Sequence, residues 1–250
     1  MKKTVVLVLV IVMAVMLCLS LAGCIRFSIN QPSIRGNGEV VTKEVSLSDK
    51  LTGAVTQTSI DIVLDPALED KAVLEGESNI LDMVVVNLSG GVLTVDFKPD
   101  FIINTMHPVT LRVPEISGGL LETTSSGNIS MLGSVALKGD SFELRSTSSG
   151  SITVAVETDR LSAVASSSGS INVTGSAAAA DINLSSSGSF NGFDCPAETV
   201  NANLSSSGDA NISVSGELSG SMSSSGSIYY DGDPSKVNVS ASSSGKAVQR

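Results

Sequence analysis

Side chains able to do chemistry are few in this chain, and their spacing is loose. Serine is abundant, yet no Gly-x-Ser-x-Gly elbow occurs, and the single histidine, His107, precedes Pro108 at a strand entry and reads as a loop residue. There is no Gly-x-x-x-x-Gly-Lys loop, no His-Glu-x-x-His and no Cys-x-x-Cys. Asp231-Gly232-Asp233 supplies two carboxylates, which suit either a turn or a weak Ca²⁺ site completed by backbone oxygens. Glu143, Arg145, Glu157, Asp159 and Arg160 fall in neighbouring repeats. They could converge on a polysaccharide-cleaving face or stay apart on a solvated flank. Tyr229-Tyr230 is the only tyrosine pair, with Tyr229 placed as a sugar-stacking ring and Tyr230 on the core side. With no Trp and 3% aromatic residues, a lectin-type aromatic platform has little to build on. The expectation is a non-enzyme with no catalytic, cofactor-binding or metal-binding residues and no cofactor.

The N-terminus carries an address. Lys2 and Lys3 form a basic start, Val5 to Leu19 is an almost unbroken apolar run, and Leu21-Ala22-Gly23-Cys24 follows. This is the pattern of a bacterial lipoprotein signal (residues 1–23) whose lipobox ends at the acylated residue, Cys24. A plain secretory signal and an uncleaved anchor are the alternatives. Each reading exports the chain, and a multiply acylated Cys24 would hold it at a membrane face. Cys18 leaves with the signal and Cys24 carries lipid, so Cys195 stands alone, without a disulfide partner, and reads as a small buried hydrophobe. The net charge of −10 becomes −12 once Lys2 and Lys3 are removed. An acidic surface argues against nucleic acid as a partner.

The elements behind these residues are strands. Residues 24–35 read as a tether, with an extended reach of about 35 Å at most. A single β domain follows over 36–250. Period-2 runs occur at 59–64, 83–88, 92–97 and 110–113, with Gly90-Gly91 as a hairpin turn, and single helical turns are placed at 66–71 and 79–82. Beyond residue 118 a Ser-Ser-Gly element recurs seven times, at Gly127, Gly150, Gly169, Gly188, Gly208, Gly226 and Gly245, with intervals of 23, 19, 19, 20, 18 and 19 residues. Two residues after these glycines come Ile129, Ile152, Ile171, Phe190, Ala210, Ile228 and Ala247. Six before come Leu121, Leu144, Ala163, Ile182, Ala202, Gly220 and Val239. A period of about 19 with apolar residues at fixed offsets predicts an all-β, parallel β-helix-like solenoid; a β-sandwich is the alternative, and a flexible Ser/Gly linker does not explain the offsets. The serine two before each glycine shares the core parity, which predicts an internal hydroxyl ladder with the glycine making the bend.

The order of motifs also resembles a known family. Gly36-Asn37-Gly38, Ser59-Ile60-Asp61-Ile62, Glu77-Ser78-Asn79-Ile80-Leu81, Gly90-Gly91-Val92-Leu93-Thr94-Val95, Val113-Pro114-Glu115 and the Ser-Ser-Gly repeats together resemble the putative auto-transporter adhesin head GIN domain family, over roughly residues 36–245. The resemblance implies a right-handed β-helix-like fold and an adhesive role in an exported bacterial protein, and it brings no site residues. The functional expectation is therefore a lipid-anchored cell-envelope protein with an adhesin-like role, at the cell surface or the periplasmic face. The alternatives are a polysaccharide-binding or polysaccharide-processing protein and a purely structural envelope module. Expected partners are the membrane through the lipid, and a cell-surface protein or glycan. The last coil, ending at Gln249-Arg250, lacks a polar cap, which leaves an exposed edge or a homo-oligomer as its two outcomes.

Overall fold

The computed structural model describes residues 31–250, so the predicted signal and Cys24 lie outside the described residues. The chain divides into two units. In the smaller, residues 31–34 and 99–102 of the described chain, the Ile102 amide donates to the Pro32 carbonyl at 3.1 Å. The larger, Arg35–Lys98 and Ile103–Arg250, is a β-solenoid of about 7 turns with roughly 19-residue repeats.

In chain order the first strands are β1 (Ser33–Arg35), β2 (Val40–Ser46), β3 (Gly53–Thr56), β4 (Asp61–Leu64) and β5 (Lys71–Glu77). One helical turn, α1 (Ser78–Leu81), precedes β6 (Val84–Ser89), β7 (Val92–Phe97), β8 (Ile102–Asn104) and β9 (Thr110–Val113). The solenoid proper continues through β10 (Gly119–Thr123), β11 (Ile129–Met131), β12 (Leu137–Ser146), β13 (Ser151–Ala165) and β14 (Ser170–Ser186). It ends with β15 (Ser189–Ser206), β16 (Ala210–Met222), β17 (Ile228–Asp231), β18 (Lys236–Ala241) and β19 (Ala247–Gln249). The predicted strands are present, and β6 and β7 form the antiparallel hairpin expected at Gly90-Gly91. Residues 33–35 of the predicted tether are already strand β1, and of the two expected helical turns only the second forms.

The repeat stacks in parallel register. Ile62, Ile129, Ile152, Ile171, Phe190, Ala210 and Ile228 lie one above another. A second column runs Leu121, Leu144, Ala163, Ile182 and Ala202. These side chains are at most 3% exposed, so period-2 alternation has become a continuous core along the stack. Ala247 and Val239, at the same offsets in the last coil, remain exposed and half-buried, and Tyr230 is half-buried as well.

Stack order departs from chain order at the N-terminal end. Leu121 of β10 pairs with Ala54 of β3, and Ala54 pairs with Leu93 of β7. The coil made by β3 and β4 is therefore inserted between the β7/β9 coil and the β10/β11 coil, although it comes earlier in sequence. Beyond β7 and β9 the parallel stacking stops: β6 lies antiparallel on β7, β5 antiparallel on β9, and β2 antiparallel on β5.

The corners correct the hydroxyl-ladder reading. The serine two before each glycine is not interior: Ser167, Ser186, Ser206 and Ser243 are exposed, and Ser125, Ser148 and Ser224 are only half-buried. The internal hydroxyls sit four before the glycine, at Thr123 and Ser146, and at the matching Thr56. Each is fully buried and donates to a carbonyl four residues on: Thr56 to Ile60 at 2.7 Å, Thr123 to Gly127 at 2.6 Å and Ser146 to Gly150 at 2.7 Å. The motif glycines are not where the left-handed bend occurs. They face inward against the coil before, and a Cβ on Gly188 would lie 2.5 Å from the Ala165 carbonyl oxygen. The left-handed residues at the corners are serines, Ser167 (φ 58°), Ser186 (φ 56°) and Ser206 (φ 101°).

Candidate functional site

Outward positions of the parallel strands repeat from coil to coil as regularly as the core. Counting back from the last five motif glycines, offset five places Val164, Asn183, Asn203, Ser221 and Ser240 in one column, which Arg145 and Glu122 extend into the preceding coils. Offset seven gives Ser162, Asp181, Asn201, Ser219 and Asn238 in another. After the corner, Thr153, Asn172, Asn191 and Asn211 form a third. Neighbouring members bond along the stack. Ser221 Oγ donates to Asn203 Oδ1 at 2.9 Å, Asn201 Nδ2 to Asp181 Oδ1 at 3.4 Å, and Asn172 Nδ2 to Thr153 Oγ1 at 3.4 Å. With about 4.8 Å between strands and about 6.8 Å between same-side residues on one strand, the flank is a lattice of mostly uncharged amides and hydroxyls.

The flank contains a groove. A cavity of about 250 Å³ opens over Val164, Leu184 and Leu204, with Asn183, Asn203, Ser185, Ser205, Ser221 and Ser223 around it. Sequence reading by motif and by charge passed over Asn183 and Asn203. The signal that could have found them is their shared offset from Gly188 and Gly208, an outward position occupied by amides in consecutive repeats.

The charged candidates do not form one cluster. Arg145 pairs with Glu143 on its own strand, and that carboxylate raises the guanidinium pKa further. Glu157 pairs with Lys138 at 2.8 Å, its register neighbour on the preceding coil. Along β12, Lys138 and Glu143 are five residues apart, roughly 17 Å of extended strand. Asp159 and Arg160 are exposed, Arg160 beside Ser141 of β12. Asp231 and Asp233 are exposed, and Asp231 Oδ1 accepts from the Gly232 amide at 2.9 Å, the geometry of a turn. Among the described residues no group of three or more His, Cys, Asp or Glu side chains could hold a metal ion. Cys195 is a free, buried thiol whose pKa burial pushes up to about 11, so it is protonated at neutral pH.

Two buried carboxylates, neither visible as such in the sequence, lie in the N-terminal coils. Glu77, fully buried, accepts from the amides of Gly38 at 2.7 Å, Met106 at 2.7 Å and His107 at 3.3 Å. Burial raises its pKa, but these three amides together with the His107 charge outweigh that and leave it below the ordinary value. His107 itself is exposed and serves here through its backbone. Asp65 accepts from the Ala67 amide at 2.9 Å and pairs with Arg112; the amide and the guanidinium lower its pKa against the opposing effect of burial. Glu77 joins the segments of Gly38 and Met106, and Asp65 joins its own turn to Arg112 of β9, so both carboxylates act as pins between chain segments.

The family model described as "Putative auto-transporter adhesin, head GIN domain" matches residues 51–234. Among solved structures, a putative adhesin from Bacteroides fragilis superposes with a TM-score of 0.79 at 16% identity, covering 87% of this chain and 100% of the other. A protein titled putative lipid binding protein from Parabacteroides distasonis gives 0.66 at 24% identity, covering 87% and 99%. A putative adhesin from Parabacteroides merdae gives 0.63 at 20%, covering 87% and 99%. At these identities the likeness is one of fold. No curated protein matches the chain.

Proposed function

Because the chain belongs to the putative auto-transporter adhesin, head GIN domain family, we propose that it is a non-enzymatic, exported cell-envelope protein, held at a membrane through lipidated Cys24 and acting as an adhesin-like binding surface. The observation that carries this reading is the flank: amides and hydroxyls in register over consecutive coils, with the charged side chains dispersed into pairs. Catalysis needs an acid, base, nucleophile or metal placed against a reacting atom. The buried carboxylates are occupied by backbone amides and an arginine, and the buried thiol is protonated. A lattice of weak hydrogen-bonding groups instead suits contacts of low individual affinity that gain strength when many copies share one membrane.

The test compares soluble protein with bead-displayed protein for binding to envelope polymers and whole cells. Binding gained on display, with no soluble product released from a polymer, is the expected result. Reproducible polymer cleavage, lost on replacing Glu157 or Asp159, would transfer the protein to the polysaccharide-processing class. Membrane attachment is tested separately: Cys24→Ala abolishes acyl-chain labelling and leaves unprocessed precursor, and unchanged labelling in that variant sinks the lipid anchor.

A further inference from the structure

The groove at Asn183 and Asn203 differs from the rest of the flank in three ways. It is recessed, with a volume of about 250 Å³, close to the lower end of small-ligand sites and enough for about one sugar ring. Its apolar side chain is Val164, half-buried in the same outward column; Leu184 and Leu204 also line it, but their side chains turn to the core and are only 3% exposed. Its rim carries hydrogen-bonding groups that the protein leaves available. Ser221 uses one acceptor of Asn203, but among the described residues the side chains of Asn183, Ser185 and Ser223 have no partner.

From these features we propose that the groove binds an uncharged, polyhydroxylated chain, a neutral glycan, lying along the stack. This deepens the adhesin-like reading and rests on it. A sugar ring presents C–H groups on its faces and hydroxyls at its edge. Val164 matches the first, and amide and hydroxyl groups match the second, since each can both donate and accept. No charged side chain lines the groove, so nothing there offsets the cost of desolvating an anionic ligand. The same amide recurs on the next coil, Asn183 stacking on Asn203, and strands about 4.8 Å apart present it at roughly the length of one sugar unit. A glycan chain lying across these two coils therefore meets the same amide twice, with Val164 on one side and Ser221 on the other. The three-serine runs 185–187 and 205–207 form the corners at its edge, where left-handed Ser186 and Ser206 turn the chain.

The experiment uses the full-length chain extracted from membranes and coupled to beads, with maltohexaose, cellohexaose and mannohexaose as probes. At least one is expected to bind and to transfer saturation from the protein in difference NMR. The double variant Asn183→Ala/Asn203→Ala should weaken that binding at least fivefold while its unfolding midpoint stays unchanged, because both residues lie on the outward face. Asn172→Ala, on the column beyond the corner, should leave it unchanged. Equal loss in both variants, or no loss in the double variant, overturns the groove. So does binding of an acidic polymer or a peptide library in place of all three neutral probes. If wild type and double variant capture cells equally well, the groove fails and the adhesin reading stands. If neither captures cells but the hexasaccharide still binds at Asn183 and Asn203, the adhesin reading fails and the groove stands.

Discussion

The first coils and the middle coils of the solenoid close the same corner in different ways. In the first, Thr56, Thr123 and Ser146 point inward and tie a carbonyl four residues on, at 2.6–2.7 Å. In the next coils the same column holds Ala165, Leu184 and Leu204, which have no hydroxyl to give. There the turn closes through the backbone: Gly169 donates to Ser166 and Gly188 to Ser185, each at 3.0 Å, around left-handed Ser167 and Ser186. Chain ends follow the same divide. The N-terminal coil is covered by antiparallel β5 and β6, whereas β18 and β19 are exposed along almost their whole length. A Ser-Ser-Gly signature thus specifies that the chain turns, and the residue four before the glycine decides what holds the turn together.

The largest effect is expected where both kinds of corner share a constraint, at the inward glycine. Gly188→Val drives a branched side chain into the Ala165 carbonyl and should cost on the order of 3 kcal/mol or more in urea unfolding. Gly245 approaches the Gly226 carbonyl oxygen as closely, at 2.4 Å for an added Cβ, but the exposed last coil can yield. Gly245→Val should lose less than half as much, and equal losses would mean that the end coil is as rigid as the middle.

A smaller loss separates the two corner types. Ser146→Ala removes one of two donors to the buried Gly150 carbonyl, which keeps the Ser170 amide at 3.2 Å, and should cost about 0.5–1.5 kcal/mol. Ser167→Gly in the next coil should instead be neutral or stabilise by up to about 1 kcal/mol, because glycine adopts the left-handed conformation without strain. Loss of stability in both would show that the Ser167 side chain has a structural role of its own.

The smallest effect at neutral pH, and one confined to the N-terminal coils, is acid sensitivity. The folded-state pKa values of Glu77 and Asp65 are depressed, so each contributes stability that is present above its unfolded pKa. That contribution is lost as pH falls through the folded value, below the ordinary carboxylate range. Hydrogen exchange followed from about pH 7 to about pH 3 should show β2, β5 and the Gly38 and Met106 segments opening before β14–β16. Glu77→Gln should flatten that dependence, since it leaves no proton to take up at this site. A uniform loss of protection along the stack would refute the assignment to these two carboxylates.

Much of this was legible in the residues. The offsets of Ile129, Ile152 and Ile171 from their glycines demanded stacked strands, because a period-2 pattern that recurs every nineteen or so residues buries its apolar side only against its own repeat. Ser125 and its equivalents misled for a local reason: strand parity predicts an inward direction, but it lapses where the chain turns, and the corner begins one residue earlier. Glu77 stood in the sequence only as the first residue of the motif Glu77-Ser78-Asn79-Ile80-Leu81. Its burial depends on amides of residues 38, 106 and 107, brought to it by pairings that no periodicity records. The groove followed the same logic, since outward parity marks Asn183 and Asn203 as surface residues and says nothing of a recess between them.

By itself, then, the sequence determined the strand content, the repeat length, the identity of the core columns and the glycine positions. Each of these follows from local alternation and from the space a single Cβ would need. Tertiary structure alone decided that β3 and β4 enter the stack between coils that come later in the chain, that antiparallel strands end the stacking at one end, and that two amides share a groove. Those outcomes depend on which strand edges meet, and backbone edges carry the same donors and acceptors whatever side chains they bear.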